Sequence, residues 1–189
     1  MSYTQTSPII GAPDVTAVVL SGALGDPASI NQLPSVTMEA KLGTVITAQD
    51  ISNSWEGEFI YLAVPVNTAI TVGLLYQFDK AYNVVVVPAG STSKNTGVAV
   101  VVAYNTVASN ASTVQYTWFL RRGTAPTLKT AVAVSPQSAI YMSATAGRFY
   151  VTSSAGKQIL GARTQNTATI SAAVSSVNVY FNPSSIEGA

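Results

Sequence analysis

Where the apolar pattern of this chain is regular, it repeats every second residue, and no segment sustains the period of a helix. Val114, Tyr116, Trp118 and Leu120 alternate with Thr113, Gln115, Thr117 and Phe119, while Val177, Val179 and Phe181 alternate with Ser176, Asn178 and Tyr180. Side chains on a strand point in turn to its two faces, so this spacing suits a pleated strand. Other strand-sized runs end at turn formers. Phe59–Val64 stops at Pro65, Thr71–Phe78 runs into Asp79-Lys80-Ala81, and Tyr82–Val87 stops at Pro88-Ala89-Gly90. The middle pair predicts a hairpin about Asp79-Lys80-Ala81. A polar loop over 91–97 precedes Val98–Tyr104, and further strands are predicted at Thr127–Val134, Ala139–Met142, Arg148–Thr152, Gln158–Thr164 and Val174–Phe181. Short helical pieces are entertained only at Ala48–Ser54 and Ser135–Ala139. The expected fold is all-β, a jelly-roll-like β-sandwich or a small β-barrel.

Residues 1–39 depart from that pattern. Pro8, Pro13, Pro27 and Pro34 stand among Gly11, Gly22 and Gly25 and punctuate short apolar pieces. Proline fixes φ and removes a backbone donor, which argues against a regular sheet interior. The stretch reads as an extended N-terminal arm ahead of a β-domain over residues 40–189. Ile9, Ile10, Val18, Val19 and Leu20 are its candidate anchors, expected to lie across a neighbouring subunit.

Composition narrows the chemistry. Hydrophobic residues make up 48% of the 189 and charged residues only 9%, so Ser, Thr, Asn, Gln and Ala must cover much of the surface. Sparse charge lowers the desolvation cost of burying surface against a neighbour, and a homodimer or homotrimer is expected. There is no His and no Cys. The commonest general base, the imidazole ligand and the thiolate nucleophile are therefore missing together. No cofactor, no metal and no enzymatic activity are expected. The opening Met-Ser-Tyr-Thr-Gln-Thr-Ser-Pro has neither a basic nor an apolar signal region, and no apolar run approaches a membrane span. Synthesis in a cytoplasm with no membrane partner is the expectation.

Charge is divided along the chain. Between Lys80 and Ile186 there are eight bases and no acid, whereas residues 1–79 hold seven acids against Lys41 alone. Complementary fields steer association and fix orientation between surfaces, so copies could join head to tail or seat on an acidic partner. Neutralisation of one half by the other within a single fold explains the same composition.

Short motifs that suggest chemistry fail on context. Glu56 and Glu58 flank Gly57, but glycosidase carboxylates normally come from separate elements, and a solvated turn is the expected setting. Ser91-Thr92-Ser93-Lys94 fits Ser-x-x-Lys, yet lies in a polar loop where acyl-enzyme chemistry needs a helix. Gly156-Lys157 lacks the first glycine of a phosphate loop, since position 151 is Val, and Gln158 replaces the hydroxyl ligand. Asn110-Ala111-Ser112 is a formal sequon only. Arg121-Arg122 invites a nucleic-acid reading, but eight bases spread over a hundred residues without a companion motif point to a protein contact.

The order of features in the second half carries a family resemblance. Leu74-Leu75-Tyr76 and Phe78-Asp79-Lys80 lead through Val84–Val87 to Thr96-Gly97-Val98-Ala99-Val100-Val101. Tyr116-Thr117-Trp118-Phe119-Leu120-Arg121-Arg122-Gly123 and Ala125-Pro126 follow. Next stand Ile140-Tyr141-Met142-Ser143-Ala144-Thr145-Ala146-Gly147-Arg148-Phe149 and Gly156-Lys157-Gln158-Ile159-Leu160-Gly161-Ala162-Arg163-Thr164. Over residues 40–182 this series resembles the head decoration proteins of tailed bacteriophages, also called cement or stapling proteins. The resemblance implies a small β-sandwich or barrel that oligomerises on the capsid exterior and clamps adjacent shell subunits. Its implied partner is the major capsid protein of the same virion, with assembly in the host cytoplasm and no catalytic residues. On that reading Arg121, Arg122, Lys129, Arg148, Lys157 and Arg163 are the candidate polar interface, beside the apolar anchors of the arm. A tail- or spike-associated β-domain binding a receptor or glycan is the second reading.

Overall fold

The computed structural model describes residues 3–5, 18–20, 41–50, 55–90 and 98–187. Among them there is no helix. The strands are β1 (Tyr3–Gln5), β2 (Val18–Leu20), β3 (Val45–Asp50), β4 (Trp55–Val64), β5 (Leu75–Phe78) and β6 (Val84–Val86). They continue with β7 (Ala99–Ala103), β8 (Gln115–Leu128), β9 (Ala139–Met142), β10 (Phe149–Tyr150), β11 (Gln158–Thr164) and β12 (Ser176–Ile186). By contact the chain divides into two compact units, each gathered from separated stretches. Unit 1 is Met1–Val72, Phe78–Val84 and Ala103–Leu120; unit 2 is Gly73–Gln77, Val85–Val102 and Arg121–Ala189.

In unit 1, β3 and β4 form an antiparallel ladder from Val45↔Ile60 to Asp50↔Trp55. β1 adds to the far side of β3 with Tyr3 opposite Asp50, and β4 neighbours β8. Phe59, Tyr61, Leu62, Val64, Trp118, Phe119 and Leu120 are buried. The Tyr61 ring lies 4.9 Å from Trp118 and 6.1 Å from Tyr116, and Phe59 meets Tyr104 edge-on at 5.6 Å. Gln115 and Thr117, the polar members of the alternation, are buried as well. Both faces of this part of β8 are covered. Of the arm, Tyr3–Gln5 and Val18–Leu20 are strands, β2 pairing with β8 through Val19↔Tyr116. Ile9 and Ile10 lie outside the described residues.

Unit 2 holds the longer ladders. β12 pairs with β8 from Ser176↔Leu128 to Phe181↔Gly123, with β11 on its other side, and with β7 at Ser184↔Val100. β11 also pairs with β9, and β9 with β10. Burial on β12 follows the alternation read from sequence, with Val177, Val179 and Phe181 inward and Ser176, Asn178 and Tyr180 half-exposed. A single parallel bridge, Lys129↔Phe149, touches the two ends of this order, and the sheet is not closed into a barrel.

Several boundaries differ from expectation for physical reasons. β8 runs on through Gly123 and Pro126, where sequence suggested two strands. Leu128 gives its N–H to Gly73 O at 2.8 Å, away from β12, and residues two apart share a side. The donor that Pro126 lacks would point that way too, so proline breaks no bond to β12. The strand expected at Thr127–Val134 ends at Leu128. β12 passes Pro183 to reach Ile186 because Leu160 faces Ser185 while Ala162 faces Phe181. Asn182, Pro183 and Ser184 thus bulge opposite Gly161 alone, where the ladder asks nothing of a proline. The helical pieces are absent from the described residues: Ala48–Asp50 belong to β3, and Ser138 Oγ closes a turn on Ser135 O at 2.8 Å.

Candidate functional site

The division of charge along the sequence follows the two compact units. Unit 1 contains seven acids and two bases, Lys41 and Lys80; unit 2 contains seven bases and one acid, Glu187. Their formal charges are −5 and +6. Neither unit neutralises itself.

The bases of unit 2 are placed differently from one another. Arg121 is half-buried and Arg122 exposed, successive residues on β8. Lys129 is buried, its Nζ donating to Val132 O at 2.8 Å, Ala172 O at 3.3 Å and Thr130 O at 3.4 Å. That ammonium is occupied by the chain's own carbonyls, and burial pushes it below the ordinary lysine value. Arg148 is half-buried and donates from a guanidinium nitrogen to Lys129 O at 2.9 Å. Lys157 is half-buried beside Gly90, and Arg163 is exposed on β11. None of Lys80, Lys129, Arg148, Lys157 and Arg163 pairs with a carboxylate among the described residues. Val18, Val19 and Leu20 form β2, and Lys94 lies outside the described residues, as does the Ser91–Lys94 motif.

Of the acids of unit 1, Glu56, Glu58 and Asp79 are those whose surroundings the structure describes. Glu56 and Glu58 lie on β4, opposite Gln49 and Thr47, not in the turn expected for them. Two residues apart on one strand, they share a face. Asp79 caps the predicted hairpin turn between β5 and β6. Its Oδ1 accepts from Ala81 N at 2.8 Å and Asn83 N at 2.9 Å, and Asn83 Nδ2 donates to its Oδ2 at 3.1 Å. The Asn83 bonds hold this carboxyl below its ordinary value. No three of His, Cys, Asp and Glu gather to hold a metal among the described residues.

A second surface feature lies wholly in unit 2. Arg163 stands opposite Tyr180 on β12 and opposite Ala139 on β9, so the three share the outward face. With Gln137, Gln158, Gly161 and Asn182 they line an open cleft of about 370 Å³. Gly161, at φ 76°, lines it at the bulge; a Cβ there would run into the Asn182 carbonyl oxygen. Sequence reasoning singled out Arg163 but missed Tyr180, Gln137, Gln158 and Asn182. The available signals were an aromatic in the polar register of β12 and a glycine inside β11, the mark of a bulge.

A neighbouring cleft of about 400 Å³ is lined in part by Gln165, Asn166 and Asn178. Two of its amides are tied to the fold: Gln165 Oε1 accepts from Thr124 Oγ1 at 3.0 Å, and Asn166 Nδ2 donates to Val134 O and Ala168 O, while Asn166 Oδ1 is buried with no partner among the described residues. No helix among the described residues is long and apolar enough to cross a membrane. Neither protein-family models, nor curated proteins, nor solved structures contain a match to this chain.

Proposed function

We propose that this protein is a structural virion subunit that decorates the outside of a phage head and clamps adjacent major capsid subunits. It acts as a homodimer or homotrimer on the capsid exterior after assembly in the host cytoplasm, binds no nucleic acid and performs no catalysis. The finer fold that accompanies this reading is a jelly-roll-like sandwich carrying the 1–39 arm.

The observation that carries the reading is the separation of charge between the compact units, −5 against +6. A decorating subunit must hold its register on a repeating shell without chemistry, and opposed fields on one chain supply orientation. The ordered resemblance over residues 40–182 supports it, as does the scarcity of charge elsewhere. A tail- or spike-associated binding domain is the second reading, favoured by the outward cleft at Arg163 and Tyr180.

The test uses the full chain and undecorated capsids. Co-sedimentation should saturate at a fixed copy number and weaken as salt rises through the range that screens surface charge. Reversal of Arg121 and Arg122 to Glu should slow association and flatten its salt dependence. Failure to bind capsids, with absence of the chain from purified particles by mass spectrometry, overturns the proposal.

A further inference from the structure

We propose that the cleft over the Gly161 bulge binds an acidic saccharide, a sugar unit bearing a carboxylate. The site is independent of whether the chain sits on a head or a tail, because it lies wholly within unit 2.

The polar side chains that converge on the cleft are unspent. Neither the Arg163 guanidinium, the Tyr180 hydroxyl nor the side-chain amides of Gln137, Gln158 and Asn182 forms a hydrogen bond to the described residues. The neighbouring cleft differs on this point, since Gln165 and Asn166 there are tied to the fold. Five uncommitted polar groups around one concavity form a recognition surface with no structural task.

Their chemistry selects the ligand. Amides present a donor and an acceptor on one planar group, which matches vicinal hydroxyls that both give and accept. Tyr180 is half-exposed and offers a ring face for the C–H side of a sugar, with its hydroxyl at the rim. Arg163 supplies a planar fork that takes a carboxylate through two parallel bonds. Glu187 is the one acid of unit 2; its backbone N–H bonds Gln158 O at 2.8 Å, and it forms no ion pair among the described residues. The fork is therefore not claimed by a carboxylate of its own unit.

The geometry is preset by the backbone. Asn182 stands in the β12 bulge and Gly161 opposite it, and the absence of a side chain at 161 lets the β11 backbone come close to the Asn182 carbonyl. Bulges re-aim side chains at strand positions where a regular pleat would send them elsewhere. An open site of this kind binds a single sugar weakly and gains strength from several copies on one particle.

Nuclear magnetic resonance titration of the full chain tests the proposal, with oligogalacturonate as the acidic probe and a neutral galactose oligomer of the same length as control. Saturable shifts confined to the cleft, stronger for the acidic probe, are expected. Arg163→Gln should weaken the acidic probe about tenfold, roughly the loss of one charge-assisted pair, and leave the neutral one unchanged. Tyr180→Ala should weaken both, while Tyr180→Phe retains most binding. Lys157→Gln removes the same charge outside the cleft and should change neither. Equal losses from Arg163→Gln and Lys157→Gln, equal affinity for the two probes, or no saturable shift at the cleft would each overturn the proposal. The amide spectrum of each variant reports its fold in the same experiment.

Discussion

Lys129 shows how a charge can be structural without a counter-charge. Its ammonium is buried on three carbonyls, and its own carbonyl accepts from Arg148. Replacement by Met keeps the stem and leaves those carbonyls without their donor, so a loss of about 1–3 kcal/mol is expected in denaturant unfolding. The pH dependence has a definite sign. Burial sets the folded-state value below 10.5, so in the window between the two the unfolded chain binds more protons and wild-type stability rises with pH. The gap between wild type and Lys129→Met should therefore widen as pH climbs toward 10.5; a constant gap would show that the amine does not titrate differently in the two states. Trp118 makes the complementary case in unit 1. It is fully buried, and its Nε1 has no hydrogen-bond partner among the described residues. Trp118→Phe removes that unsatisfied donor and keeps a ring against Tyr61, whereas Trp118→Ala opens a cavity. Thermal unfolding should place Phe about 1–2 kcal/mol and Ala about 3–5 kcal/mol below wild type. The alternation placed Trp118 on an apolar face, but neither the carbonyls around Lys129 nor the unpartnered Nε1 was legible in the sequence, because residue type alone does not announce its neighbours.

Elements were legible where local chemistry and the ladder agree. β11 begins and ends at the residues read from sequence, and β12 turns Val177, Val179 and Phe181 inward as the alternation requires. Asp79-Lys80-Ala81 makes the turn because Asp79 gives the backbone its local acceptors. The breaks misread within β8 and β12 fall on Gly and Pro, which mark a break when read locally. Pro126 survives within β8 because its missing donor faces away from β12, and Pro183 survives within β12 because the bulge releases it. Those facts depend on pairing register, which a single strand does not encode. The opposition of Arg163 and Tyr180 was hidden for the same reason. Gly161→Ala tests the bulge: a positive φ and the Asn182 carbonyl together should destabilise the fold by about 1–3 kcal/mol and reshape the cleft. An unchanged melting temperature would show that β11 relaxes there. Removal of residues 1–39 should lower the stability of unit 1, since it deletes both the β1–β3 and the β2–β8 ladders. Hydrogen exchange in β3 and at Gln115–Thr117 would report it.

At the scale of the molecule, the sequence displayed a division of charge and left open whether folding would erase it. Lys80 and the acids of 1–79 belong to unit 1, while Arg121 to Arg163 belong with Glu187 to unit 2. On the proposed reading, salt should act chiefly on encounters with partners. Association rates should fall with ionic strength, while the denaturant midpoint of the isolated chain moves little. A large shift of that midpoint between low and high salt would mean that the opposed charges act within the fold. The interleaving of the two units also governs how the chain is made. Unit 1 takes its last stretch from Ala103–Leu120, and the second stretch of unit 2, Val85–Val102, is synthesised before that. A growing chain must therefore leave the ribosome with both units unfinished, holding β4 and β7 until β8 emerges and supplies a partner to each. Nascent chains stalled before residue 120 should be open to protease throughout, and protection should arrive late in translation.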